Sequence, residues 1–169
     1  LDRLEEPSRR TAQLSAVVGR VFAFDILARI MAGDETEGNP RLNQHIAQLQ
    51  QHEMIRETQR VPELIYSFKH VIMQEVCYLS LPARTRRLYH RKIAQYLETG
   101  RSAGRRDAEH NVPLIAQHAF LGQDWQRALR YQRLAAHQAQ KLFANHEAIN
   151  HLENALESAK ALPIDETLA

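Results

Sequence analysis

The most informative part of the sequence runs from Tyr66 to Glu98 and reads YSFKHVIMQEVCYLSLPARTRRLYHRKIAQYLE. Its first residues alternate between apolar and polar side chains, with Tyr66 and Phe68 on either side of Ser67. This pattern is typical of a half-buried strand. After Phe68-Lys69-His70 the spacing of apolar residues becomes helical, so His70 is predicted at a strand-to-helix corner. An imidazole there can reach a ligand held by a neighbouring domain and donate to a phosphate. The alternative is a structural histidine that caps the helix or lies in the core.

Three helices are predicted before this stretch. Pro7 is tolerated in the first turn of the first helix, which Gly19 ends. Asp25 is the expected N-cap of the second helix. The third helix carries apolar residues at spacings of four and three, which predict a one-sided apolar stripe: Leu42, Ile46 and Leu49.

Two strands complete the first part of the chain. They are predicted at 54–58 and 64–68, joined by a turn that contains Pro62. Three helices followed by a hairpin predict a winged-helix-like domain. The fold class is therefore mainly α, with one short β-hairpin.

The third helix also indicates whether the chain binds DNA. In a winged helix that binds DNA, this helix lies in the major groove. Between Leu42 and His52 it offers amides and no Lys or Arg: Asn43, Gln44, Gln48, Gln50 and Gln51. Amides can read adenine, but most affinity for DNA comes from neutralising phosphates. A winged-helix DNA-binding regulator is therefore the alternative function, and not the first choice.

A block of positive charge follows the corner. Net charge is only +2, yet the segment from Arg84 to Arg106 has eight basic residues against one acid, Glu98. Such a block favours contact with phosphate, with nucleic acid or nucleotide as the partner, and its alternative is a solvated helix face followed by a mobile charged loop. The candidates for such contact are Lys69, Arg86, Arg87, Arg91 and Lys92.

Beyond the basic helix, residues 99–109 lack apolar periodicity and predict a linker between a first domain, 1–98, and a helical region, 110–169. That region contains two helical segments that align with each other, with Ala128 matching Ala148 and Ala135 matching Ala155. Alanines seven apart let helices approach closely, which indicates tetratricopeptide-like packing of successive helices, and a plain helical hairpin is the alternative. Trp125 and Tyr131 are the aromatic residues expected to contact a protein or peptide partner.

Several kinds of chemistry are excluded by composition and spacing. Cys77 is the one cysteine, so neither an intrachain disulfide nor a cysteine-based zinc site is expected. His146 and His151 are five residues apart, whereas a helical zinc motif needs four. The sequence lacks a phosphate-binding loop of the GxxxxGK[ST] type and a GxSxG nucleophile turn. We expect no enzyme activity, no metal and no bound cofactor in this chain itself.

The location of the protein is predicted from what the sequence lacks. Neither a signal peptide nor a run of about 18 apolar residues is found, so a cytoplasmic protein without membrane contact is expected.

Taken in order, the segments VVGRVFAFDIL, YSFKHVIMQEVCYLSL, RRLYHRKIAQYLE, QDWQRALRYQRLAA and NHEAINHLENAL resemble one known arrangement. It is the region after the AAA-type ATPase module in bacterial STAND-class signalling proteins, including those appended to class III adenylate or guanylate cyclases. The resemblance covers nearly the whole chain, and its most specific part is Phe68-Lys69-His70 with the basic helix from Arg86 to Lys92.

The resemblance implies a non-catalytic regulatory and scaffolding segment whose parent protein is an ATPase or a nucleotide cyclase. In that superfamily a winged-helix module packs on the nucleotide-binding module, and a histidine at the corner contacts the phosphates of ADP. His70 is the matching position. Bound ADP would then favour a closed state, and ATP would release the helical arm. The nucleotide-binding loop is absent from this chain, so ATP or ADP would be held by the preceding module.

Overall fold

In the computed structural model, residues 4–32, 41–99 and 111–163 are described. In chain order the elements are α1 (Glu6–Val18), β1 (Val21–Ala23), α2 (Phe24–Ala32), α3 (Leu42–Gln51), β2 (Ile55–Gln59), β3 (Ile65–Phe68), α4 (Val71–Leu79), α5 (Ala83–Glu98), α6 (Val112–Leu121), α7 (Trp125–Lys141) and α8 (Asn145–Ala161). The prediction of a mainly helical chain with a small amount of β-structure is confirmed.

The chain forms two compact units, of which the first runs to Tyr89 and the second begins at His90. This boundary falls inside α5, whereas the sequence predicted that the first domain continues to residue 98. The second half of α5 belongs with the later helices, to which it is joined by a hydrogen bond from Arg91 to Gly122 and an ion pair between Glu98 and Arg127. The predicted linker, 99–109, lies outside the described residues except for Thr99.

The first unit contains a three-stranded antiparallel sheet in the order β1-β3-β2. Phe22 of β1 is opposite Tyr66 of β3, and Ile55 of β2 is opposite Phe68. The two predicted strands are confirmed, the first shifted by one residue and the second beginning one residue later and ending as predicted. The strand β1 was not predicted. Three residues are too few to show an alternating pattern, and β1 is recognisable only through its pairing with β3.

The start of α2 differs from the expectation. The helix begins at Phe24, and Asp25 lies in its first turn, where its Oδ1 accepts a hydrogen bond of 2.7 Å from the backbone N–H of Ile26. The backbone N–H of Phe24 donates to the carbonyl oxygen of Leu64 at 2.9 Å. This bond ties Phe24, the first residue of α2, to the residue just before β3. Helix α2 therefore follows β1 without a separate capping residue.

The core of the first unit is built from large side chains. Phe22, Tyr66 and Phe68 are buried, with the ring of Phe22 5.9 Å from that of Tyr66 and 5.8 Å from that of Phe68. The predicted stripe of α3 is buried as expected. The helices of this unit bury aliphatic side chains as well: Leu14, Leu27, Leu42 and Leu49.

The helix boundaries predicted at Pro7 and Gly19 are confirmed. Pro7 lies in the first turn of α1, and Gly19 follows its last residue. Gly19 has φ of 154°, and a Cβ there would lie 3.1 Å from the carbonyl oxygen of Val21. A residue with a side chain would be strained at this position, so glycine permits the chain to enter β1 directly.

The second unit is helical in its described residues and has a core rich in alanine. Helices α7 and α8 are each 17 residues long, the first beginning at Trp125 and the second at Asn145. The alanines matched in the sequence are buried, as are further alanines of these helices: Ala128, Ala135, Ala136, Ala139, Ala148 and Ala155. Small side chains allow α7 to lie close to both α6 and α8.

The turns before α7 and before α8 repeat the same geometry. Gln123 and Phe143 have φ of 55° and 58°. The next residue in each case, Asp124 or Ala144, donates its backbone N–H at 2.9 Å to a carbonyl five residues earlier, that of Ala119 or Ala139. The offset that matches Ala128 with Ala148 therefore describes turns and helices alike.

Candidate functional site

His70 lies where the sequence predicts it, between β3 and α4. Its backbone is extended, with φ of −126° and ψ of 137°, and it occupies the N-cap position of α4. Its side chain makes no capping hydrogen bond and is exposed. His70 is therefore neither a capping residue, because its side chain makes no capping hydrogen bond, nor a core residue, because it is exposed.

The chain on both sides of this corner is held by backbone hydrogen bonds. The N–H of Phe68 donates to the carbonyl of Arg20 at 2.9 Å, and the N–H of Lys69 donates to the carbonyl of Met54 at 3.0 Å. The Lys69 ammonium lies 3.0 Å from a carboxylate oxygen of Glu53. The corner is thus fixed by the sheet, and Lys69 already has an anionic partner.

Helix α4 packs on α1 through only one side. Cys77 is fully buried, and the amide of Gln74 donates to the carbonyl of Ala16 at 3.0 Å. The opposite side carries apolar residues that are 51–73% exposed and that we call the α4 surface: Val71, Ile72, Val76 and Leu79. Clustered exposed apolar residues mark interaction sites more often than isolated ones do. The α4 surface begins at the residue after His70.

Four of the five predicted basic residues lie on α5, and Lys69 lies just before α4. Lys69, Arg86 and Arg87 belong to the first unit, while Arg91 and Lys92 belong to the second. The guanidinium of Arg86 lies 4.7 Å from the centre of the Tyr78 ring and is half-buried, so Arg86 contributes a cation–π contact within the unit.

Arg91 also has a structural role. Its Nε donates to the carbonyl of Gly122 at 2.6 Å, and its Nη2 donates to the carbonyl of Gln123 at 3.2 Å. These carbonyls end α6, where helix carbonyls lack partners within the helix. Arg87 and Lys92 remain exposed.

The two aromatic residues expected to contact a partner lie in different surroundings. Trp125 is half-buried at the start of α7, with its ring 5.9 Å from that of Phe120 in an edge-to-face arrangement. Tyr131 is buried, and its hydroxyl donates to Glu98 at 3.0 Å. Tyr131 therefore packs inside the second unit, while Trp125 keeps part of its ring accessible.

Glu98 joins three side chains of α7. Its carboxylate lies 2.9 Å from Arg127 and 3.5 Å from Arg130, and it accepts from Tyr131. Burial raises the pKa of Glu98, but the hydrogen bonds from Arg127 and Tyr131 and the two positive charges outweigh burial and lower its pKa overall. This arrangement is structural: it ties the end of α5 to α7.

Sequence reasoning did not single out the buried pair His90 and His118. Their Nδ1 atoms are 2.8 Å apart, and both rings are buried. Only one proton can lie between two Nδ1 atoms, so one ring donates and the other accepts. The available signal was the helical spacing of His90 with Ile93, Ala94 and Leu97, which puts a polar residue on a buried face.

Reactive groups of other kinds do not assemble in the described part of the chain. Burial raises the pKa of the Cys77 thiol to about 11, which leaves it protonated and unreactive at neutral pH. Residues 4–32, 41–99 and 111–163 contain no cluster of three histidine, cysteine or acidic residues that could bind a metal ion.

Among the described helices, none combines the length and the apolar character needed to cross a membrane.

Comparison of the chain with known protein families, with curated proteins and with solved structures found no match.

Proposed function

We propose that the chain is a non-catalytic regulatory and scaffolding segment of a STAND-type signalling ATPase. The first unit would rest on the preceding nucleotide-binding module, with His70 near the nucleotide, and the second would be an arm that binds a protein or peptide. The parent protein would bind ATP and ADP and would carry ATPase or cyclase domains.

The order of elements in the first unit supports a winged-helix interpretation. A winged helix combines three helices with a small antiparallel sheet, and α1-β1-α2-α3-β2-β3 with sheet order β1-β3-β2 is consistent with it. In the second unit, the matched turns, the equal lengths of α7 and α8 and the buried alanines support tetratricopeptide-like packing.

The observation that carries the proposal is the α4 surface together with His70. The apolar side chains of α4 are largely exposed in this chain, and covering them with another domain would be favourable by about 25 cal/mol for each Å² of apolar area removed from water. His70 lies at the N-terminal edge of this surface with its imidazole exposed. A domain that covered α4 would therefore meet His70 at its border.

The exposed corner allows a regulatory mechanism. If His70 donates to a phosphate of ADP in a closed state and makes no such bond with ATP, ADP favours that state by the difference in affinity. Released from the nucleotide-binding module, the first unit would free the helical arm for its partner. The histidine would be a positioning and sensing residue, because no bond is made or broken at it.

DNA binding is the alternative function, and the composition of α3 does not favour it. Its exposed residues include Asn43, Gln44, Gln50 and Gln51, and the helix contains neither Lys nor Arg. Contacts to phosphate supply most of the affinity for DNA. A duplex-binding measurement on the full chain at low salt tests this alternative directly.

The proposal is tested by calorimetry of ADP and ATP binding to the parent protein, which includes the preceding ATPase module. We expect His70→Ala to weaken ADP binding by about tenfold, the effect of losing one hydrogen bond to a charged group, and to leave ATP unchanged. His52→Ala removes another exposed histidine of the first unit and serves as the control. If the His70 variant bound ADP and ATP with the same affinities as the wild type, the result would contradict the proposal.

A double variant tests the α4 surface independently of nucleotide. We expect Ile72→Asn with Val76→Asn to separate the first unit from the ATPase module, which limited proteolysis would detect as faster cleavage between them. The same substitutions should leave the helical content of the 169-residue chain unchanged, because both side chains are exposed.

A further inference from the structure

Helix α8 exposes a line of large apolar residues that we call the α8 stripe: Ile149, Leu152 and Leu156. These side chains are 46–57% exposed. They are spaced three and four apart and so lie along one face of the helix. The side of α8 that packs on α7 carries small residues instead: Ala148, Ala155 and Ser158.

The internal repeat indicates what kind of element fits this stripe. When α8 is aligned on α7, Leu152 corresponds to Gln132 and Leu156 corresponds to Ala136, which are both buried in α7. Gln132 is enclosed by its two neighbours: its amide donates to Ala116 of α6 at 3.2 Å, and its Oε1 lies 2.6 Å from Nδ1 of His151 in α8.

Helix α7 therefore packs on two helices, α6 and α8. Among the described elements, α8 packs extensively on α7 alone. Because α8 repeats the spacing of α7, the face occupied by Leu152 and Leu156 is the one that a further helix would cover. In stacked helical repeats each helix buries its second face on the next one.

Charge next to the stripe restricts the partner further. Glu153 and Glu157 are exposed beside it, at positions where α7 carries Arg133 and His137. In the described part of the chain, neither carboxylate belongs to an ion pair. One positive charge, Lys160, lies in the last turn, so the border of the stripe is acidic overall.

We propose that the α8 stripe binds an amphipathic helix of a partner protein that carries Lys or Arg beside its apolar face. Apolar contact would supply affinity, and the acidic border would select the basic helix. A second copy of this chain fits less well, because pairing two α8 stripes would bring two acidic borders together. The inference concerns the second unit and does not depend on His70 or on nucleotide.

The test uses the 169-residue chain and two synthetic peptides of about 18 residues, or five helical turns. Both peptides carry the same Leu and Ala face, flanked by Lys in one and by Glu in the other. Fluorescence anisotropy of labelled peptide measures binding at low salt. We expect the Lys peptide to bind at least about tenfold more tightly than the Glu peptide, and added salt to reduce the difference.

Variants of the stripe and its border make the test specific. Leu152→Gln with Leu156→Gln should weaken binding of the Lys peptide by about tenfold or more. Glu153→Lys with Glu157→Lys should reverse the preference between the two peptides. Leu134→Gln removes an exposed leucine of α7 outside the stripe and should leave binding unchanged. Circular dichroism checks that each variant keeps its helical content.

Three results would overturn the inference. Neither peptide binds, or the stripe variant binds as the wild type does, or reversal of the border charges leaves the peptide preference unchanged. Light scattering adds a fourth: a dimer that the stripe variant converts to a monomer would assign the stripe to a second copy. Failure here would leave the nucleotide test of His70 unaffected, since that test measures another unit.

Discussion

The two units bury different kinds of side chain. The first encloses aromatic rings and leucines around a small sheet, whereas the second encloses alanines together with polar groups such as His90, His118 and Gln132. Large residues stabilise by the apolar area that they remove from water, and alanines stabilise by letting helices approach closely. The stability of the first unit should therefore be sensitive to lost side-chain volume and that of the second to added volume.

The largest expected effect is loss of volume in the first unit. Phe68→Ala should lower the free energy of unfolding by about 3–5 kcal/mol, because it removes a buried ring and leaves a cavity. Urea unfolding followed by far-UV circular dichroism measures the loss. Trp125, the one tryptophan, reports on the second unit by fluorescence, and its transition should move less.

Ile72→Ala is the control for this substitution, since Ile72 is exposed on α4. It should change the free energy of unfolding by no more than about 0.5 kcal/mol. Equal losses for Phe68→Ala and Ile72→Ala would mean that volume in the sheet core does not set the stability of the first unit.

Added volume in the second unit is expected to have the next largest effect. Ala135→Leu should cost about 1–3 kcal/mol, because Ala135 is buried in α7 where a larger side chain must displace its neighbours. Denaturant unfolding followed by Trp125 fluorescence checks this loss. The same change at the exposed Ala161 should have little effect. A stable Ala135→Leu variant would show that α7 has room for larger side chains.

A smaller effect is expected from the polar contacts of Glu98. Glu98→Gln should cost about 0.5–1 kcal/mol at pH 7, since it weakens ion pairs with Arg127 and Arg130 that are partly exposed to solvent. The folded state lowers the pKa of Glu98, so this stabilisation is present at neutral pH and is lost as the pH falls through the folded pKa.

Thermal unfolding at pH 7 and pH 3 measures this dependence. The difference between wild type and Glu98→Gln should be present at pH 7 and should shrink at pH 3. Glu153→Gln, which removes an exposed carboxylate, should show no such difference at either pH. A constant difference across the range would mean that the charge of Glu98 does not stabilise the fold.

The smallest expected effect is the titration of His151. Burial lowers the pKa of His151, and nearby Glu147 opposes this only in part. The folded chain therefore favours neutral His151, and stability should be full above the ordinary histidine pKa of about 6.5 and decline as the pH falls through the lower folded value. Thermal unfolding of wild type between pH 7.5 and 5 should show this small decline.

His151→Gln should flatten that decline, whereas His146→Gln, at an exposed position of α8, should not. Direct titration of the His151 ring by NMR would show whether its pKa lies below or above the ordinary value. A raised pKa would contradict the burial that places His151 beside Gln132.

Local patterns in the sequence predicted much of the first unit. The stripe of Leu42, Ile46 and Leu49 predicted α3, and Gly19 predicted the end of α1. The strand β1 escaped prediction because three residues carry no period, and its partners in β3 lie far away along the chain. The exposed position of His70 agrees with the prediction of a corner, although its contact with nucleotide remains a proposal.

The type and order of most elements follow from the sequence, because helix and strand periods, glycine and proline act over a few residues. Which of the apolar stripes are buried depends on the tertiary structure. Val71, Ile72 and Val76 have the same helical spacing that a buried stripe would have, yet they face outward, as do Leu152 and Leu156 on α8. Spacing places residues on one face of a helix, whereas burial depends on whether another element lies against that face.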